Sequence, residues 1–164
     1  MADLRQLLEL RNFREVHRVL AALADDGRAS FVLDAAADQA RLWLSLARDH
    51  LSAARSASTR HWRSQVSRSY YAAYTASRAV RYYVTGHVRQ DAGDHKDVTE
   101  LPDDFPDRSH WVSALTDLHS ARSRSDYDAW TDVLQSLPRE PSVLLSLADR
   151  FVATAARYLT DRGV

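Results

Sequence analysis

Residues Arg63–Tyr83, RSQVSRSYYAAYTASRAVRYY, decide how the rest of the chain is read. The stretch holds neither Pro nor Gly, and at about 3.6 residues per turn it predicts a long helix. Val66, Tyr70, Ala73, Ser77, Val80 and Val84 would share one face, the pattern of a core stripe. A second stripe runs beside it: Arg68, Tyr71, Thr75, Arg78 and Tyr82, at helical spacing. Two readings of that second stripe stand open. Its tyrosines cap the edge of a core with their hydroxyls in water, or Arg and Tyr form a surface for a partner chain or a nucleic acid.

The chain has 164 residues, enough for one domain with a proper core. It has no cysteine, which excludes disulfides, iron–sulfur clusters and thiolate zinc sites. The beginning, MADLRQLLELRNFREV, carries charge from residue 3 and has no apolar run of signal-peptide type. No segment is apolar over a bilayer-spanning length. The expectation is a soluble, cytoplasmic protein with no membrane contact.

Charge is balanced at 22 basic against 22 acidic residues, but it is unevenly placed. Seven arginines and no acid lie between His50 and Gln90, whereas seven acids and only Lys96 lie between Asp91 and Asp107. Such blocks can become patches, and basic patches attract phosphates. Lys96 is the only lysine, so arginine is common throughout; the missing acids are the more telling half.

Outward from the Arg/Tyr helix, residues 3 to 24 read as a helix with Leu4, Leu7, Leu8, Phe13, Val16, Leu20 and Leu23 as apolar contacts. Gly27 would close it. Residues 1–30 are thus expected as an N-terminal helical extension docked on the main body or on a partner, and 31–164 as the main bundle. A second helix is expected from Asp34 to about Ser56, with Ala40, Leu44, Ala47, Leu51 and Ala54 packing closely. After Gly86 comes an irregular stretch to Arg108, in which His95 and Val98 occupy a short helical turn and Leu101 and Phe105 pin the loop to the core. A helix capped by Ser109 follows and runs, with Trp111 or Val112, Leu115 and Leu118 facing inward, toward Asp126-Tyr127. Trp130, Val133 and Leu134 come next. The last helix starts at Pro141 and carries Leu144, Leu147, Phe151, Ala155 and Tyr158. Almost nothing reads as strand, so the expected fold is all-α, an antiparallel bundle of four to six helices.

The order of motifs is informative. Ser-Arg-Ser-Tyr70-Tyr71-Ala-Ala-Tyr74 lies on a long helix, His95 stands three residues before Val98 in a loop, and Phe105 follows. A later helix ends Arg122-x-x-x-Asp126-Tyr127, and an amphipathic helix closes the chain. Over roughly residues 34 to 160 this resembles a HEPN domain, of the subgroup with an RxYYAxxxA helix and a terminal RxxxDY. The resemblance implies a homodimer whose shared cleft binds nucleotides or RNA. In active members it also implies metal-independent endoribonuclease chemistry, with Arg on the phosphate and His assisting the ribose hydroxyl. Toxin–antitoxin or defence settings, with a nucleotidyltransferase antitoxin as partner, are implied too.

Carried onto this chain, the resemblance makes Arg122, Asp126, Tyr127 and His95 the candidate catalytic set. Arg68, Tyr71, Arg78, Tyr82 and Arg124 become the candidate nucleic-acid or dimer surface. The family's Arg-x(4–6)-His motif is degenerate: no histidine follows Arg122 or Arg124, and His119 precedes both. Arg-x5-His pairs such as Arg81/His87 and Arg89/His95 occur as often as chance allows and carry no weight. Either His95 meets Arg122 and Tyr127 in space, or the domain binds without cutting, as an interaction module or in a nucleotide site. His95 otherwise reads as a loop residue capping a helix end, Arg122 and Asp126 as an i,i+4 ion pair, and Tyr127 as a packing residue. No phosphate loop, HExxH, nucleophile elbow or calcium loop is present, and no metal or cofactor is expected. The acidic run is read as solvated, or as an intramolecular or partner-facing mate for the basic helix; in the intramolecular case it would cover the Arg/Tyr stripe until RNA displaces it.

Overall fold

In the computed structural model, which describes residues 12–129 and 132–164, the Arg/Tyr stretch is one helix at the centre of a bundle. The described α-helices are α1 (Phe13–Ala22), α2 (Asp26–Ser56), α3 (Trp62–Thr85), α4 (Arg108–Tyr127), α5 (Val133–Ser136) and α6 (Pro141–Thr160). Short 3₁₀ segments cover Thr59–His61 and Ala92–Thr99, and the described residues contain no strand. The fold is an all-α bundle. None of the described helices is long and apolar enough to cross a membrane.

α3 holds the bundle together because α2, α4 and α6 all pack on it. Its predicted stripe is in place, with Val66, Tyr70, Ala73, Ser77 and Val80 fully buried. Alanines at 40, 47 and 54 on α2 remove side-chain bulk and let its backbone approach α3. Trp111, Leu115 and Leu118 on α4, and Leu144, Phe151 and Ala155 on α6, complete the core. Each fully buried leucine or phenylalanine contributes roughly 1.5–3 kcal/mol. Buried hydroxyls are satisfied locally: Ser69 donates to the Gln65 carbonyl at 2.8 Å, and Ser77 to that of Val98 at 2.7 Å.

Side-chain bridges show the helix directions. Arg68–His50 and Gln65–Ala54 run α2 against α3, Arg63–Ser125 and Arg122–Tyr71 run α3 against α4, and Arg55–Asp149 on α6 with Arg41–Gly163 just past its end run α2 against α6. These pairs are antiparallel.

Gly86 closes α3 in the left-handed region (φ 83°), where a Cβ would meet Asn12 Oδ1 at 2.0 Å. That contact is useful to the fold. Asn12 caps α1, donates to the Thr85 carbonyl at 2.9 Å, and the Phe13 amide donates to the Gly86 carbonyl at 3.0 Å. Phe13 is fully buried, so α1 docks on the bundle itself.

Several expectations change. α2 begins at Asp26, not Asp34, because Asp25 serves as its N-cap and accepts from the Arg28 amide. Gly27 therefore lies inside α2, and Ala24 takes the left-handed turn (φ 53°) between α1 and α2. α2 also runs unbroken across the expected boundary at residues 30 and 31. α4 starts at Arg108 after Asp107, ahead of Ser109. Leu4, Leu7, Leu8 and Trp130 lie outside the described residues.

The irregular segment behaves as the spacing suggested. Val98, Leu101 and Phe105 are buried, and His95 sits on the 3₁₀ segment with Val98. Asp94 beside it is also buried, 1 % exposed.

Candidate functional site

Three elements place the site: the N-terminal half of α3, the last two turns of α4, and the 3₁₀ segment. Tyr70, Tyr71 and Tyr74 occupy successive positions on one side of α3. Arg122 on α4 reaches them, and its Nη2 donates to Tyr71 Oη at 2.9 Å. The guanidinium lies 5.9 Å from the Tyr70 ring centre, 5.5 Å from that of Tyr71 and 5.2 Å from that of Tyr127. Three negative ring faces around one cation fix its position without neutralising its charge. Asp126 supplies the neutralisation, with Oδ2 2.8 Å from Arg122 Nε in the i,i+4 pair that spacing suggested.

His95 enters from the 3₁₀ segment. Its Nδ1 is hydrogen-bonded to Tyr70 Oη at 2.8 Å, and its ring stacks on Tyr74 with centres 4.3 Å apart. His119, one turn before Arg122 on α4, sets its ring 5.5 Å from that of Tyr70. Burial and then the Arg122 charge push His95 below its ordinary 6.5, and Asp94 opposes them. The same two causes, in the same order, lower His119. Burial raises Tyr70 above its usual value, so it stays a neutral phenol. Neutral imidazoles beside a fixed guanidinium are a combination able to hold a phosphate and accept a proton.

The 3₁₀ segment is anchored by Asp94. Arg81 donates to both its carboxylate oxygens, at 2.9 and 3.2 Å, and Tyr74 Oη donates to Oδ2 at 2.6 Å. Burial alone would raise Asp94, but the bonds from Arg81 and Tyr74 outweigh it and hold the carboxyl below its ordinary value. Tyr74 is pushed up to about 12, by burial first and then by its bond to Asp94. Several other acids of this stretch are mated within the chain: Asp91 and Asp97 to Arg89, and Asp104 to Arg162. Asp94 is a structural anchor, so a segment that lifts off α3 does not fit this burial.

Beyond Arg122, an open groove of about 630 Å³ runs between α3 and the end of α4, past Arg63, Ser67, Arg68, Tyr71 and Asp126. A larger, mostly apolar hollow of about 750 Å³ near Trp62, Leu137 and Pro138 holds none of the candidate residues. Among the described residues no three His, Asp or Glu side chains converge as a metal site.

The predicted residues divide. His95, Arg122, Asp126 and Tyr127 come together, with Arg68 and Tyr71 alongside them. Arg78 lies farther along α3, over the Trp43 ring at 5.0 Å, donating to Gln90 and 3.8 Å from Asp94. Tyr82 is a correction: it is 2 % exposed beneath Phe13 and Trp43, because α1 and the long α2 cover that end of the stripe. Arg124 is exposed, donates to the Ser136 carbonyl and touches none of the other candidate residues. His119, Tyr70 and His50 were missed. Only the spacing of His119 and Arg122, three apart on one helix, signalled any of them.

No family model matches the chain, and no curated protein or solved structure matches it.

Proposed function

We propose that this chain is a HEPN-type domain that binds RNA at the Arg122 cluster and cleaves it without a metal. The observation that carries the reading is that His95 and Arg122 both meet Tyr70, one bonded to its hydroxyl at 2.8 Å and the other 5.9 Å from its ring centre, although no linear motif joins them. Arg122 holds a phosphodiester by its guanidinium. In the tautomer that donates from Nδ1 to Tyr70, His95 has its lone pair on Nε2. The ribose 2′-hydroxyl gives its proton to that nitrogen while its oxygen attacks phosphorus. The bond to the 5′-oxygen breaks, the departing oxygen takes a proton from water, and the hydroxide left behind takes the proton back from His95. A 2′,3′-cyclic phosphate and a 5′-hydroxyl result. Two such chains pair as a homodimer, and a nucleotidyltransferase antitoxin in a toxin–antitoxin or defence pair is the partner this reading implies.

Asp126 favours a second reading. Its carboxylate already occupies one side of Arg122 at 2.8 Å, which suits a domain that binds RNA or a protein partner and does not cut.

Labelled single-stranded RNA incubated in EDTA separates the two. Cyclic-phosphate ends that disappear in Arg122→Ala and His95→Ala support cleavage. Binding without cleavage supports the second reading; no RNA binding at all overturns the first and leaves a protein partner as the second reading's ligand. Growth arrest on overexpression, lost in Arg122→Ala, tests the toxin setting, and light scattering tests the dimer.

A further inference from the structure

Arg68 stands one helical turn before Tyr71 and lines the groove with it. Most arginines here have settled partners. Arg81, Arg122, Arg55 and Arg139 each pair with an aspartate, and Arg63 donates at 2.7 Å to the Ser125 and Asp128 carbonyls at the end of α4. Arg68 differs. It is exposed, and among the described residues its polar contact is to an imidazole, Nη1 donating to His50 Nδ1 at 3.4 Å.

A guanidinium only donates, so His50 accepts at Nδ1 and, when neutral, carries its proton on Nε2. Its ring lies 5.7 Å from that of Tyr71. The Ser67 hydroxyl, on the same groove wall, reaches Asp126 only weakly at 3.5 Å. The groove wall carries Arg68, backed by the His50 imidazole, Arg63 bonded to two carbonyls, and the Ser67 hydroxyl. Against them stand Asp126, which Arg122 already holds, and Asp49 beside His50. Such a set is short of an anion.

We propose that the groove at Arg68 and His50 is a second phosphate subsite, filled by the phosphate adjacent in the strand to the one at Arg122. This rests on the reading of Arg122 as a phosphate holder. It adds the ligand class: a strand with at least two phosphates, rather than a mononucleotide. Tyr71 touches both positions, its oxygen accepting from Arg122 and its ring near that of His50, and the Tyr127 ring, 76 % exposed, offers a face for an unstacked base.

Calorimetric titration of the full chain with cytidine 3′-monophosphate and cytidine 3′,5′-bisphosphate tests it. The readout is the ratio of the two affinities at one salt concentration. The bisphosphate is expected to bind about tenfold tighter, with the ratio falling close to one in Arg68→Gln and partly restored in Arg68→Lys. Arg157→Gln, an exposed arginine on α6, should leave the ratio unchanged. A wild-type ratio near one, or an equal fall in Arg157→Gln, overturns the second subsite while monophosphate binding at Arg122 stands. If neither compound binds, or the monophosphate binds equally well to Arg122→Gln, the underlying reading falls and the subsite with it.

Discussion

Tyr71 and Arg122 are 51 residues apart in sequence, yet the guanidinium donates to the phenol oxygen at 2.9 Å across the α3–α4 seam. The antiparallel register of the two helices makes this contact. It also brings Asp126 level with Ser67 and His119 level with Tyr70. The candidate site is therefore a property of one helix pair, with His95 supplied by the segment that connects them.

The ion pair between Asp126 and Arg122 competes with any phosphate. Asp126→Asn should tighten RNA binding by up to about fivefold, since a partly exposed pair is worth up to about 1 kcal/mol. It should also steepen the salt dependence, because Arg122 is then free to displace a counterion. Fluorescence anisotropy over a salt series measures both, and weaker binding would mean that Asp126 itself contacts the ligand.

His95 should titrate below 6.5, since burial and the Arg122 charge both disfavour its protonated form. In Arg122→Gln its midpoint should rise while staying under 6.5, because burial remains. Its folded value lies below its unfolded one, so its share of stability is complete above about 6.5 and is lost as pH falls through the folded value. Histidine NMR titration of both proteins reads the shift, and an unmoved midpoint would separate His95 from Arg122.

Asp94→Ala should destabilise the fold by about 3–5 kcal/mol, because it leaves the buried Arg81 without its partner. In the wild type the carboxyl is held below 3.8, so this contribution is present above that pH and lost as pH drops through the lower folded value. Urea denaturation at neutral pH gives the first number and an acid series the second. A loss under 1 kcal/mol would show the 3₁₀ segment to be held by Val98, Leu101 and Phe105 alone.

Gly86→Ala should cost at least about 1–2 kcal/mol for the left-handed backbone alone. The added Cβ also displaces the Asn12 side chain, so α1 should loosen first. Thermal unfolding reports the cost, and faster amide exchange confined to residues 13–22 would identify the cause.

The all-α fold was legible because helical periodicity, the Pro141 start and the Gly86 stop are local signals, each set by a few neighbouring residues. The buried face of α3 was legible for the same reason. Its second face was not. Arg68, Arg78 and Tyr82 share one spacing, yet the first lies open in a groove, the second sits over Trp43 and the third is sealed beneath Phe13. Spacing along one helix tells which residues share a side. What covers that side depends on the lengths and docking of α1 and α2, on the register of α4, and on Asp94 seating His95, and those are long-range contacts that only the tertiary packing decides.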